Sequence, residues 1–102
     1  MAADVERQSV QRRIDPYHPT ADGHFPGNPI IPGAALLAEI LDAIGHTRAR
    51  GIRNAKFIQP VRPGDRLAIR WRAAGAGEIK FEAFLEQGGL ALSGLIVTKA
   101  AP

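Results

Sequence analysis

The sequence contains no cysteine and no long apolar run, and each absence excludes a class of protein. Without cysteine there is no disulfide framework, thiol nucleophile or cysteine-ligated zinc site, so His, Asp and Glu are the strongest candidates for chemistry. No stretch approaches the roughly 20 apolar residues of a membrane span. Residues 1–10 also lack the apolar core of a secretory signal. We therefore expect a soluble, cytoplasmic protein with no membrane partner.

The net charge of the chain is modest, and most of its positive charges belong to arginine. The 102 residues include 13 Lys and Arg against 10 Asp and Glu, which gives a net charge of +3 and a pI near 10.0. Aromatic residues do not interleave with the arginines as base stacking would require, so no nucleic-acid partner is expected. An acidic protein or a phosphate group is a better candidate partner for these arginines. The alternative is that the arginines have no partner and form a solvent-exposed face of a sheet. Most of the arginines are concentrated between residues 48 and 72: Arg48, Arg50, Arg53, Arg62, Arg66, Arg70 and Arg72.

Alternating apolar and polar residues predict antiparallel strands in the second half of the chain. Leu67, Ile69 and Trp71 alternate with arginines, and residues 78–86 repeat the pattern. Short segments rich in Gly and Pro separate these runs and predict consecutive hairpins. Further strands are predicted over residues 5–14 at a sheet edge, over 52–59 and over 90–99.

Residues 34–44 are predicted to form the one strong helix, which Gly45 closes. Its apolar residues cover an arc of about 140°, and Glu39 and Asp42 lie on the opposite side. The apolar face has to be covered. The economical solution is an α+β fold in which an antiparallel sheet wraps around one central helix, with residues 1–102 as a single domain.

The segment before the helix, residues 24–33, reads HFPGNPIIPG. Three prolines at a spacing of three forbid both helix and strand. The bare backbone of Gly33 lets a ligand approach the unpaired N–H groups of the first helical turn, which can polarise a carbonyl oxygen. The segment thus has an imidazole, His24, at one end and a helix N-terminus at the other. A Pro-rich loop with a surface histidine is the alternative.

The string H-F-P-G-x-P-x-x-P-G before an apolar helix resembles the hot-dog-fold β-hydroxyacyl-acyl-carrier-protein dehydratases. The likeness continues through His18-Pro19 upstream and through residues 54–57 and 60–65 downstream, so it covers nearly the whole chain. It implies a hot-dog fold, a homodimer or higher homo-oligomer that joins two sheets, and an active site at the dimer interface. It also implies removal of water from a 3-hydroxyacyl thioester on the phosphopantetheine arm of an acidic acyl carrier protein. No cofactor is expected.

The same resemblance assigns roles to individual residues. His24 corresponds to the base that removes a proton beside the thioester carbonyl, and the backbone N–H of Gly33 corresponds to the donor that binds that carbonyl. Phe25, Ala34 and Ala38 are expected to contact the substrate together with Gly33. Members of the family have Glu or Asp at the position of Ala38, and a methyl group cannot donate a proton.

Asp42 and Glu39 are the two carboxylates that could replace the missing acid. Glu39 is rotated by about 100° from Ala38, whereas Asp42 is only about 40° away and one turn along the helix. Asp42 therefore shares the face of Ala38 and is the better candidate. The alternative is that both residues simply form the polar side of the helix.

Two other functions remain open on the same fold. The alanine at position 38 favours a non-catalytic subunit that binds an acyl chain or a carrier protein, and a site that polarises a thioester could also serve a thioesterase. A zinc site built from His18, Asp22 and His24 is not expected, because nothing else completes the ligand set. Most of the aromatic residues at strand spacing are predicted to pack in the core, with acyl-chain contact as the alternative: Phe57, Trp71, Phe81 and Phe84.

Overall fold

The computed structural model describes residues 7–18, 30–45 and 49–98 as one antiparallel sheet with one helix. The predicted α+β architecture is confirmed. The elements are β1 (Arg7–Arg13), α1 (Gly33–Ile44), β2 (Ala49–Phe57), β3 (Arg66–Ala73), β4 (Glu78–Leu85) and β5 (Leu90–Thr98).

The five strands follow the order β1-β3-β4-β5-β2 in the sheet. Strands β3, β4 and β5 form the predicted consecutive hairpins, and Gly88 and Gly89 reach φ values of 123° and 88° in the last turn. Strand β1 lies at the sheet edge beside β3, as predicted, and β2 forms the other edge beside β5.

Strand β2 begins earlier and ends earlier than the predicted range 52–59. The ladder stops at Phe57 because the N–H groups of Ile58 and Gln59 both donate to the carbonyl of Ala91, at 2.8 and 3.2 Å. Pro60 follows and has no N–H to continue the pairing. The predicted end of this strand was therefore wrong by two residues.

The helix ends as predicted and begins one residue before the predicted start. Gly45 adopts a φ of 72°, and its N–H donates to the carbonyls of Leu41 and Asp42 at 3.0 and 3.1 Å. This left-handed ending is the one that glycine favours. In the part of the chain that the structure describes, no helix is long and apolar enough to cross a membrane.

The core lies between α1 and the inner face of the sheet. Leu36 and Ile40 are the buried residues of α1, and the strands that chiefly contact this helix are β1 and β3. Phe81 is fully buried, as predicted for a core aromatic, whereas 51% of Phe57 is exposed. The other buried apolar residues are Ile14, Ile31, Val61, Leu67, Ile69, Ala83, Leu85, Ala91, Leu92 and Ile96.

Candidate active site

An apolar groove with a volume of about 420 Å³ opens at the N-terminal end of α1. Residues 30–33 and Leu36 form one wall, and residues 57–61 form the other. The N–H of Ile31 donates to the carbonyl of Val61 at 2.8 Å and ties the walls together. An apolar groove of this size is typical of sites that bind the apolar part of a small ligand.

Among the residues that the structure describes, no side chain caps the helix N-terminus at this groove. Pro32 occupies the cap position with extended backbone angles, and the first turn contains no acidic residue. Leu36 donates to the carbonyl of Pro32 at 2.9 Å, so the ladder of the helix starts there. The N–H groups of Gly33 and Ala34 precede that ladder and point out of the helix end, where they can bind a carbonyl oxygen or an anion.

Phe57 lies against the first residue of the helix. A Cβ atom placed on Gly33 would stand 3.0 Å from Cζ of Phe57, closer than ordinary contacts allow. Glycine at this position therefore lets the ring approach the helix N-terminus. Sequence reasoning favoured the core for most of the strand aromatics and gave acyl-chain contact as the alternative, without saying which aromatic residue would lie at a groove. The available signal was that Phe57 stands three residues before Pro60, near the end of the strand.

A network of charged side chains lies on another side of α1. Nη1 of Arg12, on β1, donates to Oε1 of Glu39 at 3.1 Å and to Oδ2 of Asp42 at 3.0 Å. Oε2 of Glu39 lies 3.2 Å from Nε2 of His18. Partial burial by itself lowers the pKa of the Arg12 guanidinium, but the hydrogen bonds and charges of Asp42 and Glu39 outweigh that effect, so the pKa is raised. Sequence reasoning did not identify Arg12, because β1 is weakly patterned.

The groove and the predicted acid lie on different sides of the helix. Gly33 and Asp42 are nine residues apart, which corresponds to about 180° of rotation and about 13 Å along the axis. Ala34 and Ala38 are exposed and do not line the groove, so of the predicted substrate contacts in the described residues only Gly33 does. His24 and Phe25 lie outside the described residues. Within the described part of one chain, Gly33 and Asp42 are therefore not brought together.

Comparison with known proteins establishes the family. A family profile described as ApeI-like, ApeI dehydratase, matches residues 2–94. The chain belongs to the ApeI-like dehydratase family. This membership confirms the resemblance to the hot-dog dehydratases that the sequence motifs indicated.

Curated relatives of this ApeI-like chain are similar over only part of their length. The 3-hydroxyacyl-acyl-carrier-protein dehydratase FabZ of Protochlamydia amoebophila is 34% identical over 101 residues, covering 82% of this chain and 66% of the relative. The enzyme of the same name from Chlamydia trachomatis serovar L2 is 35% identical over 86 residues, covering 69% of this chain and 56% of the relative. The chain thus spans between half and two thirds of each of these dehydratases.

A solved structure supports the fold. The dehydratase heterocomplex ApeI:P from Xenorhabdus doucetiae superposes with a TM-score of 0.74, covering 90% of this chain and 86% of that chain at 24% identity. At this identity the likeness concerns the fold alone. The ApeI-like chain has the hot-dog fold that the motifs predicted.

Proposed function

We propose that this ApeI-like protein is a 3-hydroxyacyl-thioester dehydratase, a lyase that removes water from an acyl group carried by an acyl carrier protein. One observation carries the proposal: the apolar groove ends at a helix N-terminus that no described side chain caps, and the first residue of this helix is Gly33. An acyl chain requires an apolar channel, and its thioester carbonyl requires a donor at the end of that channel. The family and the FabZ relatives support the same activity.

The proposed reaction divides into one proton removal and one proton donation. His24 takes the proton from the carbon next to the thioester carbonyl, and the electron pair of that C–H bond moves toward the carbonyl oxygen. The N–H of Gly33 stabilises the charge on this oxygen, and a single such donor contributes about 2.7–4 kcal/mol in enzymes that form an oxyanion. This electron pair then returns to form the carbon–carbon double bond as the carbon–oxygen bond of the 3-hydroxyl breaks. An acid protonates the leaving hydroxyl, so water and an enoyl thioester remain.

Asp42 is better placed than Glu39 to be the acid. Both oxygens of Glu39 are engaged, one by Arg12 and one by His18, and only 25% of its side chain is exposed. The side chain of Asp42 is 75% exposed, and within the described residues no hydrogen bond reaches its Oδ1. Asp42 also shares the helix face of Ala38, where the family has its carboxylic acid.

A homodimer, alone or within a larger assembly, would complete this site. Gly33 and Asp42 of one chain point to different sides of α1, so a substrate held at Gly33 needs the carboxylate of a second chain. Strands β1 and β2 each pair on one side only in the described residues, which leaves backbone groups available for pairing between chains. A dimer would also cover Ile58, a residue of the groove wall that is 55% exposed.

The proposed partner is an acidic acyl carrier protein with a phosphopantetheine-linked acyl chain. Arg62 directly follows Val61 in the groove wall, and Arg66 begins β3 a few residues later. These cations follow the groove wall within five residues of the chain, and they could attract an acidic carrier. The proposed location is the cytoplasm, which fractionation of the native cells would test.

The direct test is turnover of a 3-hydroxyacyl thioester. We expect the wild-type protein to form the conjugated enoyl thioester, which absorbs in the ultraviolet. His24→Ala should lower kcat by about 10²- to 10⁴-fold, the usual contribution of a positioned general base. His46→Ala, which changes a histidine that the motif does not include, serves as the control and should keep the wild-type rate.

Three outcomes would contradict the proposal. The absence of enoyl product from both wild type and His24→Ala would exclude a self-sufficient dehydratase. Release of free thiol without enoyl product would identify a thioesterase. Binding of the acyl carrier without turnover would identify a non-catalytic subunit, the alternative that Ala38 favours.

A further inference from the structure

Arg12 is a charged residue at an inward-facing position of β1. Its register partner is Leu67, which is buried, and the inward neighbours along the chain, Val10 and Ile14, pack in or against the core. A charge among apolar neighbours costs free energy unless it is paired. Arg12 is paired with two carboxylates of α1, so the network is the reason that a charge is tolerated at this position.

The geometry of the network gives the two carboxylates different freedom. A single nitrogen of Arg12, Nη1, donates to Glu39 and to Asp42. Glu39 is held a second time by His18, whose side chain is only 12% exposed, whereas Asp42 keeps one oxygen, Oδ1, to which no described residue donates a hydrogen bond. Arg12 therefore draws Glu39 toward β1 and holds Asp42 at the exposed edge of the helix.

We propose that Arg12 is a positioning residue that sets which helix carboxylate of this protein meets the substrate. Through one guanidinium nitrogen, which donates to Oδ2, it orients Asp42 so that Oδ1 carries the proton that is donated, and it keeps Glu39 in a supporting role. Glu39 and His18 in turn fix the position of Arg12. This inference rests on the proposed dehydratase function and adds to it a residue that does not touch the substrate.

The conservative variant separates positioning from simple loss of charge. Arg12→Gln removes the charge and replaces the guanidinium with a shorter amide, whose N–H groups end well short of the position of Nη1, so the carboxylate of Asp42 can rotate away. Arg12→Lys keeps a charge but replaces the planar guanidinium with one compact ammonium group on a different stem, so it should restore only part of the geometry. A displacement of about 1 Å at a reacting group can cost about 100-fold in rate.

The experiment measures kcat and KM for a 3-hydroxyacyl thioester in a set of variants. Arg12→Gln should lower kcat by about 10- to 100-fold with KM within about twofold, because the substrate groove is untouched. Arg12→Lys should recover part of the loss. Asp42→Asn should lose at least as much as Arg12→Gln, and Glu39→Gln should lose less than Asp42→Asn.

Arg13→Gln is the matched control. Arg13 is the next residue on β1, and its register partner on β3 is Arg66. Its side chain is exposed and lies on the face of the sheet away from Arg12, so this change should leave kcat and KM unaltered. Circular dichroism and thermal unfolding of each variant show whether the fold is kept. Arg12→Lys keeps the test informative if Arg12→Gln does not fold.

The outcomes separate this inference from the proposed function. If the wild type turns over and Arg12→Gln keeps the wild-type kcat, the inference is overturned and the dehydratase function stands. The same holds if Glu39→Gln loses more activity than Asp42→Asn, because the carboxylate roles are then reversed. If the wild type yields no enoyl product, the proposed function fails, and this inference fails with it.

Discussion

At the scale of single residues, two glycines lie against phenylalanine rings that differ in their freedom to move. A Cβ on Gly94 of β5 would stand 2.9 Å from Cε2 of Phe81, and a Cβ on Gly33 would stand 3.0 Å from Cζ of Phe57. Phe81 is fully buried, whereas Phe57 is 51% exposed. The two close approaches are therefore similar in distance, but the ring of Phe57 has room to move and the ring of Phe81 does not.

We predict that Gly94→Ala destabilises the protein and that Gly33→Ala does not. The buried ring of Phe81 cannot move without disturbing the core, so overpacking should cost about 1–3 kcal/mol in the free energy of unfolding. Phe57 can swing toward solvent, and alanine is favoured over glycine in helices by up to about 1 kcal/mol. Denaturant unfolding of both variants measures the difference.

Enzymatic activity is a second measurement for the Gly33→Ala variant. Gly33→Ala should raise KM for a 3-hydroxyacyl thioester, because the added methyl group and the displaced ring narrow the groove. Equal loss of stability in the two variants would show that Phe57 is held as firmly as Phe81.

At the scale of elements, arginines stand at both ends of β3. Arg66 begins the strand five residues after Val61, the last residue of the groove wall, and Arg72 is six residues further along. Six residues of strand extend about 20 Å. A carrier protein that delivers its acyl chain to the groove should depend on the near end of β3 and not on the far end.

We predict that Arg62→Glu and Arg66→Glu weaken binding of an acidic acyl carrier protein, and that Arg72→Glu has a much smaller effect. Charge attraction in solution is screened over about 10 Å at 0.1 M salt, so the distant arginine contributes little. Binding measured by surface plasmon resonance at two salt concentrations checks this. Equal effects at Arg62 and Arg72 would indicate that the carrier does not dock near the groove.

At the scale of the whole molecule, the described part of one chain holds the two halves of the proposed site on different sides of α1. The groove and the N–H of Gly33 lie on one side, and Asp42 lies on the other. Both groups belong to the same rigid helix, so a single copy of the described residues cannot bring them together. Two chains related by twofold symmetry can, because each supplies to the other what it lacks.

We predict that inactive variants restore each other's activity when their chains mix. In a 1:1 mixture of His24→Ala and Asp42→Asn, half of the dimers contain one chain of each kind, and one of the two sites in each mixed dimer is intact. Co-expression should therefore recover about one quarter of the wild-type activity. Size-exclusion chromatography with light scattering gives the mass of the assembly, and a monomer, or no recovery after co-expression, would refute a shared site.

Much of the fold could be predicted from the sequence because it depends on local patterns. Alternation along 67–71 and 78–86 reflects a sheet with one buried face, and the run from 34 to 44 reflects a helix with one apolar side. Gly45 and the short glycine-containing turns mark where each element stops. The end of β2 was missed because it depends on the carbonyl of Ala91, a strand away.

The sequence by itself determined the family and the fold of this protein, and it singled out Gly33 at a helix N-terminus, because motif, periodicity and turn chemistry are local properties of the chain. Only the tertiary structure placed Phe57 at the groove and Arg12 between Glu39 and Asp42. These contacts join residues far apart in sequence, and their strength depends on distance and burial, which no local pattern encodes. The structure also showed that Gly33 and Asp42 face different ways, and this separation is the reason to propose a site shared between two chains.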